Sequence, residues 1–327
     1  MIASIHEKEP LNRSLSVDFR RARIAEEGLC RAPMRTASSV RWLPGVMAAL
    51  ILIPALVLIL RLPKREKEPV PTPDPHEGQV YLYDGFDWVW MTPLADVEPN
   101  SLTAEDFVMQ ETTPVYLGNA YTVKKGLDVS EHQRSIDWSQ VAAADVDYVF
   151  VRLGRRGYSE GGLFEDEYYR TNIEGALRNG IPVGVYFFSQ AVNVAEALEE
   201  ARYVIDHLRG YQIDLPVVYD WEHIEGVEDA RTNDLPPEVV TDCAVAFCET
   251  VKNAGYEPAV YFNRKVGYYG LDLSRLTDYL FWFALPESPF PNFYYAVDIW
   301  QYSFTETVPG VPGVNDMNLM FIPKKVE

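Results

Sequence analysis

The chain has 327 residues, of which 47% are hydrophobic and 13% aromatic, enough apolar surface for a real core and too much for wholesale disorder. Its 29 Lys and Arg stand against 48 Asp and Glu, a net charge of −19. That balance argues against a nucleic-acid surface, because phosphate binding needs basic patches.

The charge is unevenly spread: the first 74 residues hold 12 basic and 8 acidic side chains, which leaves 17 and 40 of the totals to the remainder. Residues 1–41 have little pattern and read as a disordered N-terminal segment. From Trp42 to Leu60, WLPGVMAALILIPALVLIL carries no charge. That length spans a hydrocarbon core of about 30 Å as a helix, and a transmembrane helix is expected over 42–62. A buried core helix normally shows a polar face, and this one shows none. A signal peptide is normally followed by a small-residue cleavage site, whereas Arg61-Leu62-Pro63-Lys64-Arg65 follows here. Arg23, Arg31, Arg35 and Arg41 before the span balance Arg61, Lys64, Arg65 and Lys67 after it, so the positive-inside rule gives no orientation.

Residues 63–78 alternate prolines and charges and read as a stiff, extended linker. Residues 79–121 read as a small β-rich segment. Within it, QVYLYDGFDWVWMTP places two β-rich runs around Asp84-Gly85, a hairpin signal. Its aromatics Tyr81, Tyr83, Trp88 and Trp90 could bind sugar, but packing against the main domain is the expectation.

From residue 124 to 327 the pattern becomes regular. GLDVS, DYVFVRLG, IPVGVYFFS, LPVVYDWE and EPAVYFN read as strands, separated by segments with helical apolar spacing. LFWFAL, YAVDIWQYS and the neighbourhood of VNDMNLMF follow with shorter connections. Strand–helix alternation implies a parallel sheet covered by helices. Eight strands in about 200 residues favour an α/β fold of the TIM-like barrel kind with some helices reduced. A doubly wound open sheet is the competing architecture, although no Gly-rich loop follows the first strand to support nucleotide binding. Cys30, Cys243 and Cys248 form no disulfide framework, and the five histidines have no metal-ligand spacing. No cofactor is called for.

In such a barrel the chemistry sits at the carboxyl ends of the strands. The first strand ends with Asp128, the second carries Arg152, and the third Tyr186 and Phe188. The fourth ends with Asp220 and Glu222, the fifth carries Tyr261 and the sixth Trp282. The seventh leads into Trp300 and Gln301, and the last begins near Asp316. Residues i and i+2 of a strand share a face, which sets Asp220 and Glu222 about 6–7 Å apart at the mouth. Two acids in an apolar surround push one pKa upward, so that one carboxyl keeps its proton while another stays ionised. That division of labour breaks glycosidic bonds, and aromatic faces suit sugar rings. Arg152, Tyr186, Phe188, Tyr261, Trp282, Trp300 and Gln301 are therefore candidates for substrate binding, with packing an equal reading for Phe188 and Tyr261.

GLDVSEHQ with IDW after it, NGIPVGVYFF, LPVVYDWEH, FWFA, and IWQYS followed by GVPGVNDMN resemble glycoside hydrolase family 25, the muramidases (lysozymes) that cut peptidoglycan. The resemblance covers residues 124 to about 321. It implies a barrel fold and hydrolysis of the β-1,4 bond between N-acetylmuramic acid and N-acetylglucosamine. It implies that Glu222 is the general acid, that Asp220 supports the charged intermediate or orients the substrate, and that Asp128 and Asp316 complete the acidic site. Arg155 and His132 depart from the residues many relatives carry at those places. A substrate in the cell wall implies a bacterial cell-membrane protein with its C-terminal domain outside, 1–41 inside, one N-terminal span and peptidoglycan glycan strands as partner. A wall-binding scaffold with little turnover, and a glycosidase acting on chitin-like polymers, are the alternatives.

Overall fold

The computed structural model describes residues 74–325. The apolar stretch Trp42–Leu60, the segment before it and the first part of the linker lie outside the described residues. Among the described residues no helix is long and apolar enough to cross a membrane.

Two short hairpins come first: β1 (Val80–Tyr83) with β2 (Trp88–Met91), and β3 (Phe107–Gln110) with β4 (Thr113–Tyr116). The expected turn at Asp84-Gly85 is present, and Asp84 Oδ1 fixes it by accepting from the backbone N–H groups of Phe86 (2.7 Å) and Asp87 (2.9 Å). The barrel strands follow as β5 (Tyr121–Val129), β6 (Tyr148–Arg156), β8 (Val183–Ser189), β9 (Val217–Trp221), β10 (Pro258–Asn263), β11 (Leu280–Ala284), β12 (Ile299–Glu306) and β13 (Asn315–Pro323). A short β7 (Leu163–Glu165) lies antiparallel on the end of β6. Pairing of β5 with both β6 and β13 closes eight strands into a ring.

The eight expected strands are all formed, which decides between the closed barrel and the open sheet. Two details differ from expectation. Strand β13 runs antiparallel to both neighbours, because only the short 307–314 loop separates it from β12. Strand β5 begins at Tyr121, opposite Pro323, so the barrel starts inside the segment read from sequence as a separate β-rich piece.

Among the described residues four α-helices cover the wall: α1 (Trp138–Ala143), α2 (Tyr169–Arg178), α3 (Val194–Leu208) and α4 (Pro237–Asn253). Asp137 caps α1 by accepting from Ser139 N and Gln140 N. Beyond β10 the crossovers shrink to single turns, including a π-turn at Val266–Gly270. The β-rich segment 79–121 covers the wall left bare there. Phe107 packs edge-on against Trp300 (5.7 Å) and Phe321 (6.1 Å). Asn100 Nδ2 donates to the carbonyls of Pro291 and Phe293. The β1–β2 aromatics behave differently from expectation: Tyr81, Trp88 and Trp90 are 55%, 61% and 46% exposed.

The lower barrel interior is packed with rings. Phe150 stacks on Trp282 at 4.6 Å, with Tyr148 edge-on to Phe150. Gly126 and Gly184 make this possible, since a Cβ at either would collide with the rings of Tyr148 and Phe150 respectively. The floor is therefore solid, and a cavity opens at the upper end.

Candidate active site

Strand alternation and register lift the polar residues to one level. Asp316 lies directly opposite Asp128, Tyr261 pairs with both Asp220 and Trp282, and Phe188 pairs with Asp220. Because β13 is antiparallel, its beginning lies at the rim where the parallel strands end. The result is a cavity of about 270 Å³ lined by all four predicted acids, Asp128, Asp220, Glu222 and Asp316. Arg152, Tyr186, Phe188, Tyr261, Trp282 and Gln301 line it too.

Trp300 is the exception. Adjacent strand residues face opposite ways, so with Gln301 inward Trp300 points out. It is fully buried, with the Phe107 ring packed edge-on against it and its Nε1 donating to the carbonyl of Leu285 (3.0 Å). It is a wall residue and is removed from the substrate-binding set.

Asp128 is the most tightly held acid. Its Oδ2 accepts from Gln301 Nε2 (2.9 Å) and Asn318 Nδ2 (2.8 Å). Both amides are themselves oriented: Tyr261 Oη donates to Gln301 Oε1 (2.7 Å), and Trp282 Nε1 donates to Asn318 Oδ1 (2.8 Å). Tyr261 and Trp282 thus aim the amides at the carboxylate as well as filling the barrel. Asn318 was not among the sequence candidates. The signal was available, since it lies two residues after Asp316 in an alternating strand. Phe304, 41% exposed at the rim, was missed as well.

The electrostatics follow from crowding. Burial, then the charge of Asp316, pushes the Asp128 carboxyl well above the usual range, against the pull of its two amide hydrogen bonds. Asp220 is pushed up by burial, then by Glu222 and Asp128, while the Arg152 charge opposes the rise. Glu222 is raised to about 7 by burial, Asp316 and Glu225. Asp316 is raised to about 6 by burial. Four carboxyls in so small a space cannot all ionise near neutrality, so the site retains protons there.

Arg152 is anchored by Asp166 (Nε–Oδ2, 2.9 Å) and Glu131 (Nη2–Oε1, 3.0 Å), and Arg155 joins Glu131 at 2.8 Å. Arg155, unusual in the sequence, therefore braces the loop after β5. Asp298, which precedes Trp300, lies at the opposite end of the barrel and accepts from Phe281 N (2.9 Å). Cys243 and Cys248 are unbridged and buried on α4. Among the described residues no cluster of His, Cys, Asp and Glu is arranged to hold a metal ion.

An α/β barrel with carboxyls and aromatic rings gathered at one mouth is the architecture of a glycoside hydrolase. Residues 127–311 match the sequence profile of Glycosyl hydrolases family 25, over half of the chain, and the protein belongs to that family. It is 25% identical over 201 residues to Lysozyme M1 of Streptomyces globisporus, covering 59% of this chain and 66% of that relative. It is 24% identical over 197 residues to the autolytic lysozyme of Clostridium acetobutylicum, covering 59% of this chain and 55% of the relative. The matched region is thus less than two thirds of either relative's length.

Among solved structures, the modular autolysin LytC from Streptococcus pneumoniae superposes with a TM-score of 0.54 at 25% identity, covering 65% of this chain and 57% of that one. A structure of LytC also exists in complex with a synthetic peptidoglycan ligand. The spore cortex lytic enzyme SleM of Clostridium perfringens shares the fold, with a TM-score of 0.52 at 20% identity over 62% of this chain and 68% of that one.

Proposed function

We propose that the protein hydrolyses the β-1,4 bond between N-acetylmuramic acid and N-acetylglucosamine in peptidoglycan. The observation that carries this reading is the convergence of Asp128, Asp220, Glu222 and Asp316 in one cavity, in a family whose relatives include lysozymes. Glu222 is the general acid. Held protonated to about pH 7, it passes its proton to the glycosidic oxygen as the bond to the anomeric carbon breaks. Positive charge developing at that carbon opposes the burial and acid crowding that raise Asp220 and Asp128, and so favours their ionised forms. Asp220 is further favoured in that form by Arg152, and Asp128 by the two amide N–H groups at its Oδ2. Glu222, now ionised, then takes a proton from the water that supplies the new hydroxyl, and the site is restored.

The remaining rim residues suit a sugar polymer. Tyr186, Phe188 and Tyr261 offer ring faces and hydroxyls, and the strand ends leave the mouth open to a long chain. In the same reading, residues 42–62 tether the protein to a bacterial membrane and 63–78 let the domain reach the wall outside. Protease treatment of intact cells should then cut in the linker, and full protection would count against this orientation.

The decisive assay is digestion of purified cell wall, borohydride reduction of the new ends and their identification. Reduced muramic acid is expected. Reduced glucosamine would assign the other bond, and intact wall with tightly retained protein would make the domain a binding scaffold.

A further inference from the structure

The β1–β2 hairpin inverts the ordinary arrangement of a two-faced ribbon. Its register sets Tyr81 opposite Trp90 and Tyr83 opposite Trp88, so all four rings share one face. They form a continuous surface, with Tyr81 at 5.4 Å from Trp88 and 5.0 Å from Trp90, and Tyr83 at 5.9 Å from Trp88. His76 extends the row by stacking on Trp90 at 4.0 Å and 9°. The other face carries the smaller Val80, Leu82, Val89 and Met91, and that is the half-buried one. Hydrophobic burial alone would turn the larger rings inward. An exposed aromatic surface of this kind marks a binding site.

The hairpin is fixed to the barrel beside the catalytic mouth. Tyr269 Oη donates to the buried Asp84 carboxylate (2.6 Å), the Arg264 guanidinium lies over the Tyr83 ring (5.5 Å), and Lys265 Nζ lies over Phe86 (5.8 Å). Tyr269 and Lys265 also line a cavity of about 460 Å³ whose wall includes Glu222. The turn end of the hairpin therefore adjoins, through Tyr269 and Lys265, the cavity that reaches the general acid.

We propose that this face is a second carbohydrate-binding surface, an aromatic platform that holds a glycan strand whose continuation enters the catalytic cavity. The occupant's identity as peptidoglycan glycan rests on the function proposed above. A sugar ring presents a C–H face that packs on an aromatic face without needing charge. The face offers no concentration of positive charge: residues 74–91 hold Asp74, Glu77, Asp84 and Asp87 and no Lys or Arg, and the two barrel cations beside them, Arg264 and Lys265, lie over Tyr83 and Phe86. Anionic lipid headgroups recruit basic segments and disfavour this one.

The test compares the full-length protein with a Trp88→Ala/Trp90→Ala variant. On insoluble cell wall the variant should show a KM about tenfold higher, while turnover of a soluble disaccharide-repeat fragment, short enough to occupy only the catalytic cavity, stays unchanged. Trp88→Phe/Trp90→Phe should restore most of the loss, because a ring face remains. Equal loss on both substrates would overturn the platform and make the hairpin structural, as would unchanged KM on the wall. Tryptophan fluorescence of Glu222→Gln titrated with wall glycan separates the two readings. A protein that cleaves nothing yet shows Trp88- and Trp90-dependent glycan binding sinks only the proposed hydrolysis. Quenching of those two tryptophans by bromine-labelled lipid in vesicles, with no response to glycan, would make the face a membrane contact and end the proposal.

Discussion

Asp128 and Glu222 line the same cavity and are held in opposite ways. Asp128 sits within a barrel strand, takes two N–H donors on one oxygen, and each donor is itself pinned by Tyr261 or Trp282. Glu222 lies one residue past the end of β9, half-buried, and is anchored through its backbone, where Gln190 Nε2 donates to its carbonyl (3.0 Å). Donors favour a charged carboxylate, whereas burial and neighbouring acids favour a protonated one. The fold thus supplies one rigidly held carboxyl whose charged form has two donors waiting for it, even though burial and Asp316 raise its pKa, and one held through its backbone and suited to give up a proton.

Substitutions can break this contrast. The largest effect is expected from Glu222→Gln, which should lower kcat by at least about 10²-fold while wall binding persists; near-normal turnover would remove Glu222 as the acid. Next, Asn318→Ala takes away one of the two donors to Asp128 and should lower kcat about tenfold, with KM little changed. A change in KM alone would mean that the amides shape the pocket and leave the charge untouched.

A subtler consequence concerns pH and stability. Glu222 holds its proton to about 7 in the folded chain, against an ordinary value of 4.5. The native state therefore binds more protons than the unfolded state between those values, and stability falls as pH rises through that window. Thermal melts of Glu222→Gln should match the parent near pH 4 and exceed it increasingly up to pH 7. A gap independent of pH would contradict the raised pKa. The smallest effect on catalysis belongs to Trp300→Phe. Loss of its hydrogen bond to Leu285 should lower Tm by about 3 °C and leave kcat/KM within about twofold.

Most of the barrel was legible because its strands are short apolar runs bounded by turn residues. Strand direction was not, since an apolar run reads alike in a parallel or an antiparallel neighbour, and only the length of the 307–314 loop bears on it. The acids were legible through alternation, which put Asp220 and Glu222 on one face. The same rule, carried one strand further, excludes Trp300 once Gln301 faces inward and adds Asn318 once Asp316 does. Those two errors came from judging nearness to the rim without tracking phase. The exposed aromatics of β1 and β2 escaped for another reason: period-two patterning separates two faces but does not say which one meets the body when both are apolar.

The meeting of β5 with β13 has a further consequence for biosynthesis. Asp128 comes from the first barrel strand to be made, while Asp316 and Asn318 come from the last. A nascent chain carrying Glu222 and most of the wall still lacks half of the seam until the region around Asn315–Pro323 emerges. The acidic cavity is therefore completed only when the last barrel strand is made, and a chain truncated before Asn315 would lack both Asp316 and the Asn318 donor to Asp128.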